Sequence, residues 1–392
     1  MLTSIALIFL CGLFLGSLFQ KLKLPSLLGM MITGMLLSPY GFNLLDDSIL
    51  NIAADLRQAA LVIILTRAGL ALDISALKKV GRPAVFMCFL PACFEICGTI
   101  LLAPGLLHVT VLEAAIIGSV IAAVSPAVIV PRMIKLMEEG YGKEHSIPQL
   151  ILAGASVDDV FVIVIFTAFT SLAVTGQVSV VSFSQIPVSI ILGICLGVIT
   201  GLVLVCFFKN FHMRDSVKIL IVLSISFLLL ELQNRLEGIV PISGLIAIMS
   251  LGVVIKQRYD VLAVRLSSKY NKLWVAAEVV LFVLVGAAVD LKYAISAGIA
   301  AVLIVCGALV FRMVGVFCCL MRTKLSGKER AFCMIAYTPK ATVQAAIGAV
   351  PLSMGLACGQ NVLTVAVLSI LITAPFGAIC IDWLYRKLLK KE

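Results

Sequence analysis

The sequence predicts an all-α polytopic membrane protein of about thirteen transmembrane helices, arranged as two inverted six-helix repeats joined by a linker helix, with two discontinuous helices that cross. Three observations predict it: the apolar composition, the alternation of basic connections and an internal repeat. Of 392 residues, 62% are hydrophobic and 13% are charged, which leaves too little polar surface to cover a soluble domain. The net charge of +10 does not point to nucleic acid, because the basic residues sit in short clusters between apolar runs, where orientation in a bilayer accounts for them.

Apolar windows of bilayer length fall near 2–19, 24–40, 52–72, 83–107, 111–131, 147–174, 185–208, 215–233, 238–255, 272–289, 294–320, 329–349 and 361–384. The first begins at Leu2 with no basic segment before it and is followed by Lys21 and Lys23, so it reads as a retained helix rather than a cleaved signal peptide. No soluble regulatory domain is expected at either end.

The 30 Lys and Arg residues test these spans independently. Alternate connections are basic: Lys21/Lys23, Lys78/Lys79/Arg82, Arg132/Lys135/Lys143, Lys209/Arg214/Lys218, Lys256/Arg258/Arg265/Lys269/Lys272, Arg322/Lys324/Lys328/Arg330 and the tail Arg386/Lys387/Lys390/Lys391. The opposite side carries only Arg235 and Lys292. The excess of positive charge on the cytoplasmic side then places the N-terminus outside and the C-terminus in the cytoplasm of a multi-pass protein of the cell inner (plasma) membrane.

The chain repeats itself at an offset of about 215 residues. Leu24-Pro25-Ser26-Leu27-Leu28-Gly29 aligns with Val240-Pro241-Ile242-Ser243-Gly244, Gly69-Leu70-Ala71-Leu72-Asp73 with Gly286-Ala287-Ala288-Val289-Asp290, and Val124-Ser125-Pro126-Ala127 with Tyr337-Thr338-Pro339-Lys340. The first span corresponds to the eighth, and such an odd shift turns the second copy upside down, as in alternating-access transporters. The whole chain, 1–392, is expected to be one integral membrane unit with repeats at 1–174 and 215–392 and a linker helix at 175–214.

Asp158 and Asp159 lie inside an apolar stretch long enough to span a bilayer. One Asp at mid-membrane costs roughly 2.5 to 3.5 kcal/mol, so an adjacent pair reads as an ion or proton site. The two are about 100° apart on a helix, so one faces a cavity and the other a packed interface. A hard monovalent cation takes oxygen ligands, which a carboxylate, hydroxyls such as Ser156 and freed carbonyls supply, and a proton competes for the same carboxylate. That competition is an antiport mechanism.

Ser125-Pro126 with Pro131, and the aligned Thr338-Pro339, break two spans. Proline leaves backbone groups unpaired where no water exists, which is tolerated where they line a cavity, so matched breaks mark a site near the midplane. Lys340 follows the second break, and its ammonium is expected to neutralise the carbonyl ends of the broken helix, with proton carriage as the sharper alternative. Glu95 and Arg312 lie on spans that correspond in the repeat and are expected to form a structural ion pair. Arg57, Arg67 and Glu278 lie towards span ends and are expected to snorkel.

The 12 cysteines contain no Cys-x-x-Cys pair and read as small buried hydrophobes, and His108, His145 and His212 as loop residues, with His145 beside Glu144 as a possible modulator. No cofactor is expected, and no nucleic-acid partner.

Ala155-Ser156-Val157-Asp158-Asp159, the Ser-Pro-Ala-Val-Ile-Val-Pro run at 125–131 and Thr338-Pro339-Lys340-Ala341-Thr342-Val343-Gln344-Ala345-Ala346-Ile347-Gly348 resemble the monovalent cation/proton antiporters, specifically the branch containing the animal sodium/proton antiporters of the NHA type. The resemblance implies the sodium/proton antiporter fold and a homodimer. In each protomer it implies a core of helices near 83–174 and 294–384 moving as an elevator against dimerisation helices near 1–45 and 185–255. It makes Asp159 the principal Na⁺, Li⁺ and H⁺ site, with Asp158 beside it. Electrogenic bacterial relatives carry a lysine on the helix that here bears Arg312, whereas the NHA-type branch pairs an arginine there with a glutamate, matching Arg312 and Glu95. Arginine does not deprotonate in a protein, so electroneutral exchange is expected.

The alternatives are a K⁺/H⁺ antiporter and a Na⁺-coupled organic anion symporter of the same fold, which has no need of the Asp-Asp pair. An intramembrane aspartic protease is disfavoured, because its two aspartates lie on facing helices and no Gly-x-Gly-Asp is present.

Overall fold

A computed structural model of the protein describes residues 1–22, 24–71, 81–175, 180–236, 240, 242–289 and 291–391. Among them the chain is helical, with no strand and one isolated antiparallel bridge between Tyr141 and Lys391. In order the helices are α1 (Leu2–Lys21), α2 (Ser26–Leu37), α3 (Asp47–Asn51), α4 (Ala53–Ala71), α5 (Arg82–Met87), α6 (Leu90–Leu107), α7 (Val111–Ile121), α8 (Pro126–Glu139) and α9 (Ile147–Thr175). They continue as α10 (Val180–Asn210), α11 (Asp215–Arg235), α12 (Gly244–Arg258), α13 (Asp260–Ala287), α14 (Leu291–Leu320), α15 (Gly327–Ala336), α16 (Thr342–Ile347), α17 (Val350–Ser353) and α18 (Gly359–Leu388).

Seven stretches among the described residues are long and apolar enough to cross a membrane: Leu2–Lys21, Arg82–Leu107, Ile147–Val174, Val188–Asn210, Asp260–Ala287, Gly298–Leu320 and Gly359–Leu388. Ser26–Leu37, Val111–Ile121 and Thr342–Ser353 are apolar but shorter. Two expected spans are split by their prolines. The run 111–131 becomes α7 and α8, and 329–349 becomes α15 and α16. The helix expected over 272–289 starts instead at Asp260, so Arg265, Lys269 and Lys272 lie on a helix rather than in a connection. The Lys256–Asp260 pair at 2.6 Å stitches the junction of α12 and α13, and Arg265 pairs with Asp215 at 3.5 Å. Leu72, Asp73, Pro241 and Asp290 of the aligned repeat motifs, with Lys23, Lys78 and Lys79, lie outside the described residues.

Local chemistry sets the ends of the half-helices. Thr110 and Glu113 form a capping box at the start of α7, and Ser326 and Glu329 form another at α15, so two otherwise orphaned backbone donors are paired at each end. Pro126 opens α8 at a position where a missing N–H costs nothing, and Gly140 closes it in the left-handed conformation at φ 84°.

The helices group into two compact units, one comprising Met1–Ala54, Ile74–Val162 and Val279–Glu392, the other Asp55–Asp73 and Ile163–Glu278. In the first unit α6 packs along α14. Gly98 leaves room for the Phe311 ring and Gly315 for Pro91, which lets the helices approach closely and brings Glu95 opposite Arg312. In the second unit α10 lies against α12, and Tyr270 is fully buried. Arg67 and Glu278 of this unit are both half-buried.

Candidate functional site

The site is built in the first unit where the two broken helices meet. After Ile121 the chain leaves helical geometry until Pro126, and after Ala336 until Thr342. Such breaks expose backbone donors and acceptors in an apolar interior, each of which must find a partner.

The partners come mostly from the other break and from four buried side chains. The Ser125 amide donates to the Pro339 carbonyl at 2.8 Å, joining the two segments directly. Arg312 on α14 donates from Nε to the Tyr337 carbonyl at 2.7 Å and from Nη1 to the Ala122 carbonyl. Gln344 on α16 donates from Nε2 to the Ala123 carbonyl at 2.8 Å and accepts from the Ala341 amide at 2.8 Å. The Val124 amide donates to Asp158 Oδ2 at 2.8 Å, and the Lys340 amide donates to Thr373 Oγ1 on α18 at 2.8 Å.

The charges form one network. Arg312 reaches Glu95 Oε2 through Nη1 at 2.8 Å and Asp158 Oδ2 through Nη2, also at 2.8 Å. Lys340 Nζ donates to the same Glu95 oxygen at 2.6 Å. All four side chains are almost completely inaccessible. Two cations facing two carboxylates balance formally, which is what burial of so many charges requires. The Arg312 guanidinium also lies 5.2 Å from the centre of the Tyr337 ring, whose hydroxyl donates to the Met87 carbonyl at 3.1 Å.

Asp159 stands beside this network but is not one of its paired groups. Its Oδ1 is buried with no hydrogen-bond partner, and the same holds for Asp158 Oδ1 and Ser125 Oγ. All three are oxygens, the ligand type that a hard monovalent cation takes.

The structure thus brings together Glu95, Ser125, Pro126, Asp158, Thr338, Pro339, Lys340 and Arg312, with Asp159 adjacent to Asp158 on α9. Thr338 turns its hydroxyl back to the Ile335 carbonyl at 2.8 Å. Ser156 lies on α9, and its side chain is outside the described ones. Two relationships differ from the sequence expectation. The Lys340 ammonium goes to Glu95, while a carbonyl at the end of the first broken helix is taken by Arg312. Arg312 serves Asp158 as well as Glu95, because Asp158 turns one oxygen towards α14. Gln344, Thr373 and Tyr337 were not singled out as site residues. A buried amide within the apolar run 341–350 was the one available signal.

A family model described as "Sodium/hydrogen exchanger, transmembrane" matches residues 5–387. The human protein "Sodium/hydrogen exchanger 9B2" is 33% identical over 413 residues, covering 100% of this chain and 75% of the relative. The same-named protein of Xenopus tropicalis is 32% identical over 411 residues, covering 96% and 73%. Human "Sodium/hydrogen exchanger 9B1" is 29% identical, covering 100% and 79%. The solved structure of the sodium proton antiporter MjNhaP1 from Methanocaldococcus jannaschii shares the fold, with a TM-score of 0.83 at 20% identity over 98% of this chain and 97% of that one. The chain belongs to the transmembrane sodium/hydrogen exchanger family.

Proposed function

We propose that the protein is a secondary active antiporter that exchanges Na⁺ or Li⁺ for H⁺, with cation and proton competing for Asp159. The observation that carries this reading is that Asp159 Oδ1, Asp158 Oδ1 and Ser125 Oγ are buried and unpaired, close to two helix breaks joined by the bond from the Ser125 amide to the Pro339 carbonyl. A carboxylate with an unpaired oxygen in an apolar interior is costly unless a proton or a cation neutralises it, and either one excludes the other. The neighbouring charges, Asp158, Glu95, Arg312 and Lys340, already neutralise one another, which leaves Asp159 as the group whose state changes.

Alternating access proceeds by elevator movement of the core in a homodimer, with the C-terminus on the cytoplasmic side of the plasma membrane. The internal repeat read from the sequence supports that movement. Gly69 and Gly286 align in the sequence and make corresponding contacts, Gly69 against the backbone of Met249 and Gly252 on α12, Gly286 against the backbone of Met31 on α2. The sequence alignment also pairs the starts of α2 and α12, so each copy's glycine meets the helix that the repeat assigns to the other copy.

The test is purified protein in proteoliposomes carrying a pH-sensitive dye and an imposed pH gradient, with Na⁺, Li⁺ and K⁺ added in turn. Dissipation of the gradient by Na⁺ and Li⁺ is expected. A response to K⁺ alone would reassign the cation, and no response to any of the three would overturn the antiporter reading.

A further inference from the structure

We infer that Gln344 is a positioning residue for the cation site, whose side-chain amide holds the two broken helices in register. This rests on the site reading given above and adds to it a residue with no part in binding or titration.

Gln344 is fully buried and within hydrogen-bond reach of backbone groups in both breaks. Its Nε2 donates to the Ala123 carbonyl at 2.8 Å and, more weakly, to the Ile121 carbonyl at 3.4 Å. Its Oε1 accepts from the Ala341 amide at 2.8 Å. Ile121 ends α7, Ala123 lies in the break that follows it, and Ala341 precedes α16. Gln344 is the third residue of α16, so its side-chain oxygen takes the amide of the N-cap residue Ala341, one half of a capping box, and its donors go to the opposite segment.

The consequence for the site follows from chain adjacency. Ala123 is followed by Val124, whose amide fixes Asp158 Oδ2, and by Ser125, whose amide holds the Pro339 carbonyl. Ala341 is preceded by Lys340, which holds Glu95. A shift between residues 123 and 341 therefore moves Asp158, Ser125 and Lys340 relative to one another. Amide geometry matters here because only an amide both donates twice and accepts along one short planar group. A carboxylate of the same shape accepts only, and would face the Ala123 and Ile121 carbonyls with like polarity. Its protonated form donates once and restores one of the two bonds.

The experiment uses the full chain in proteoliposomes, with Gln344→Glu and Gln344→Met compared with wild type for thermal stability, Na⁺ KM and maximal rate across pH. Gln344→Met should raise the Na⁺ KM by about tenfold, the scale of leaving buried carbonyls without their donor. Gln344→Glu should be impaired at high pH, and its rate relative to wild type should recover as pH falls and the new carboxyl gains a proton. A simple packing role produces no such pH dependence. Wild-type KM and a flat relative pH profile in both variants would overturn the proposal. Misfolding of both would assign Gln344 to stability and overturn it equally. Asp159→Asn is assayed alongside: if that variant exchanges at wild-type rate, the site reading fails whatever Gln344 does.

Discussion

Glu95 and Lys340 are joined at 2.6 Å through the same Glu95 oxygen that Arg312 reaches at 2.8 Å. One carboxylate oxygen thus answers two buried cations, and the second carboxylate, Asp158, answers Arg312 alone among them. Removing Glu95 leaves Lys340 without its ion-pair partner and Arg312 with half of its compensation. Breaking a buried pair costs about 3 to 5 kcal/mol, so Glu95→Gln should lower the melting temperature in detergent substantially. Arg312 also bonds backbone carbonyls in both breaks, which confounds its own deletion. The cleaner double-mutant cycle therefore combines Glu95→Gln with Lys340→Met, and a coupling near zero would refute the pair.

Asp158 and Asp159 are neighbours in sequence with opposite duties. Asp158 Oδ2 accepts from Arg312 and from the Val124 amide, whereas Asp159 Oδ1 has no hydrogen-bond partner. Asp158→Asn should destabilise the protein by about 1 to 3 kcal/mol or more, as expected when a buried charged bond is lost. Asp159→Asn should leave the melting temperature nearly unchanged and abolish exchange. Equal stability losses in the two variants, or exchange surviving in Asp159→Asn, would reverse this division.

The parts of this arrangement that were legible in the sequence are those with a local chemical cause. Proline at 126 and 339 removes a backbone donor, so the interruptions at Ser125 and Thr338 follow from the chain itself. Two carboxylates in an apolar run at 158 and 159 announce themselves by their cost. What joins them was not legible, because the joining contacts cross 150 to 250 residues of chain: Arg312 to Asp158, Lys340 to Glu95 and Gln344 to Ala123 leave no trace in local spacing. The start of α13 was missed for a different reason. Residues 260–272 are too charged to register as a bilayer-length apolar window, yet they continue the helix as its polar end, with Asp260 in the first turn.

The proposed competition at one carboxylate predicts a particular pH dependence of transport. If a proton and a Na⁺ exclude each other at Asp159, lowering pH raises the apparent KM for Na⁺, approaching tenfold per pH unit on the acid side, while saturating Na⁺ restores the same maximal rate. Initial rates over a matrix of pH and Na⁺ concentrations check this. A maximal rate that falls with pH at constant KM would mean that protons act elsewhere than at the cation site.

Exchange should be electroneutral, one proton for one Na⁺ or Li⁺, and the argument is a count of groups that can release a proton. In the proposed scheme Asp159 exchanges one proton for one cation. Arg312 stays charged, since a guanidinium does not deprotonate in a protein, so it cannot serve as a second carrier. Lys340 is the remaining candidate: its ammonium pairs with Glu95 at 2.6 Å, and one-for-one exchange requires it to keep its proton throughout the cycle. Each net charge crossing the membrane couples to voltage by roughly 2.3 kcal/mol per 100 mV, so the two stoichiometries separate widely. In proteoliposomes with a clamped K⁺ diffusion potential, wild-type exchange should be indifferent to the potential. Lys340→Gln, even if slower, should stay equally indifferent. A wild-type rate that changes steeply with imposed voltage would rule out one-for-one exchange, and loss of that dependence in Lys340→Gln would identify Lys340 as the second proton carrier.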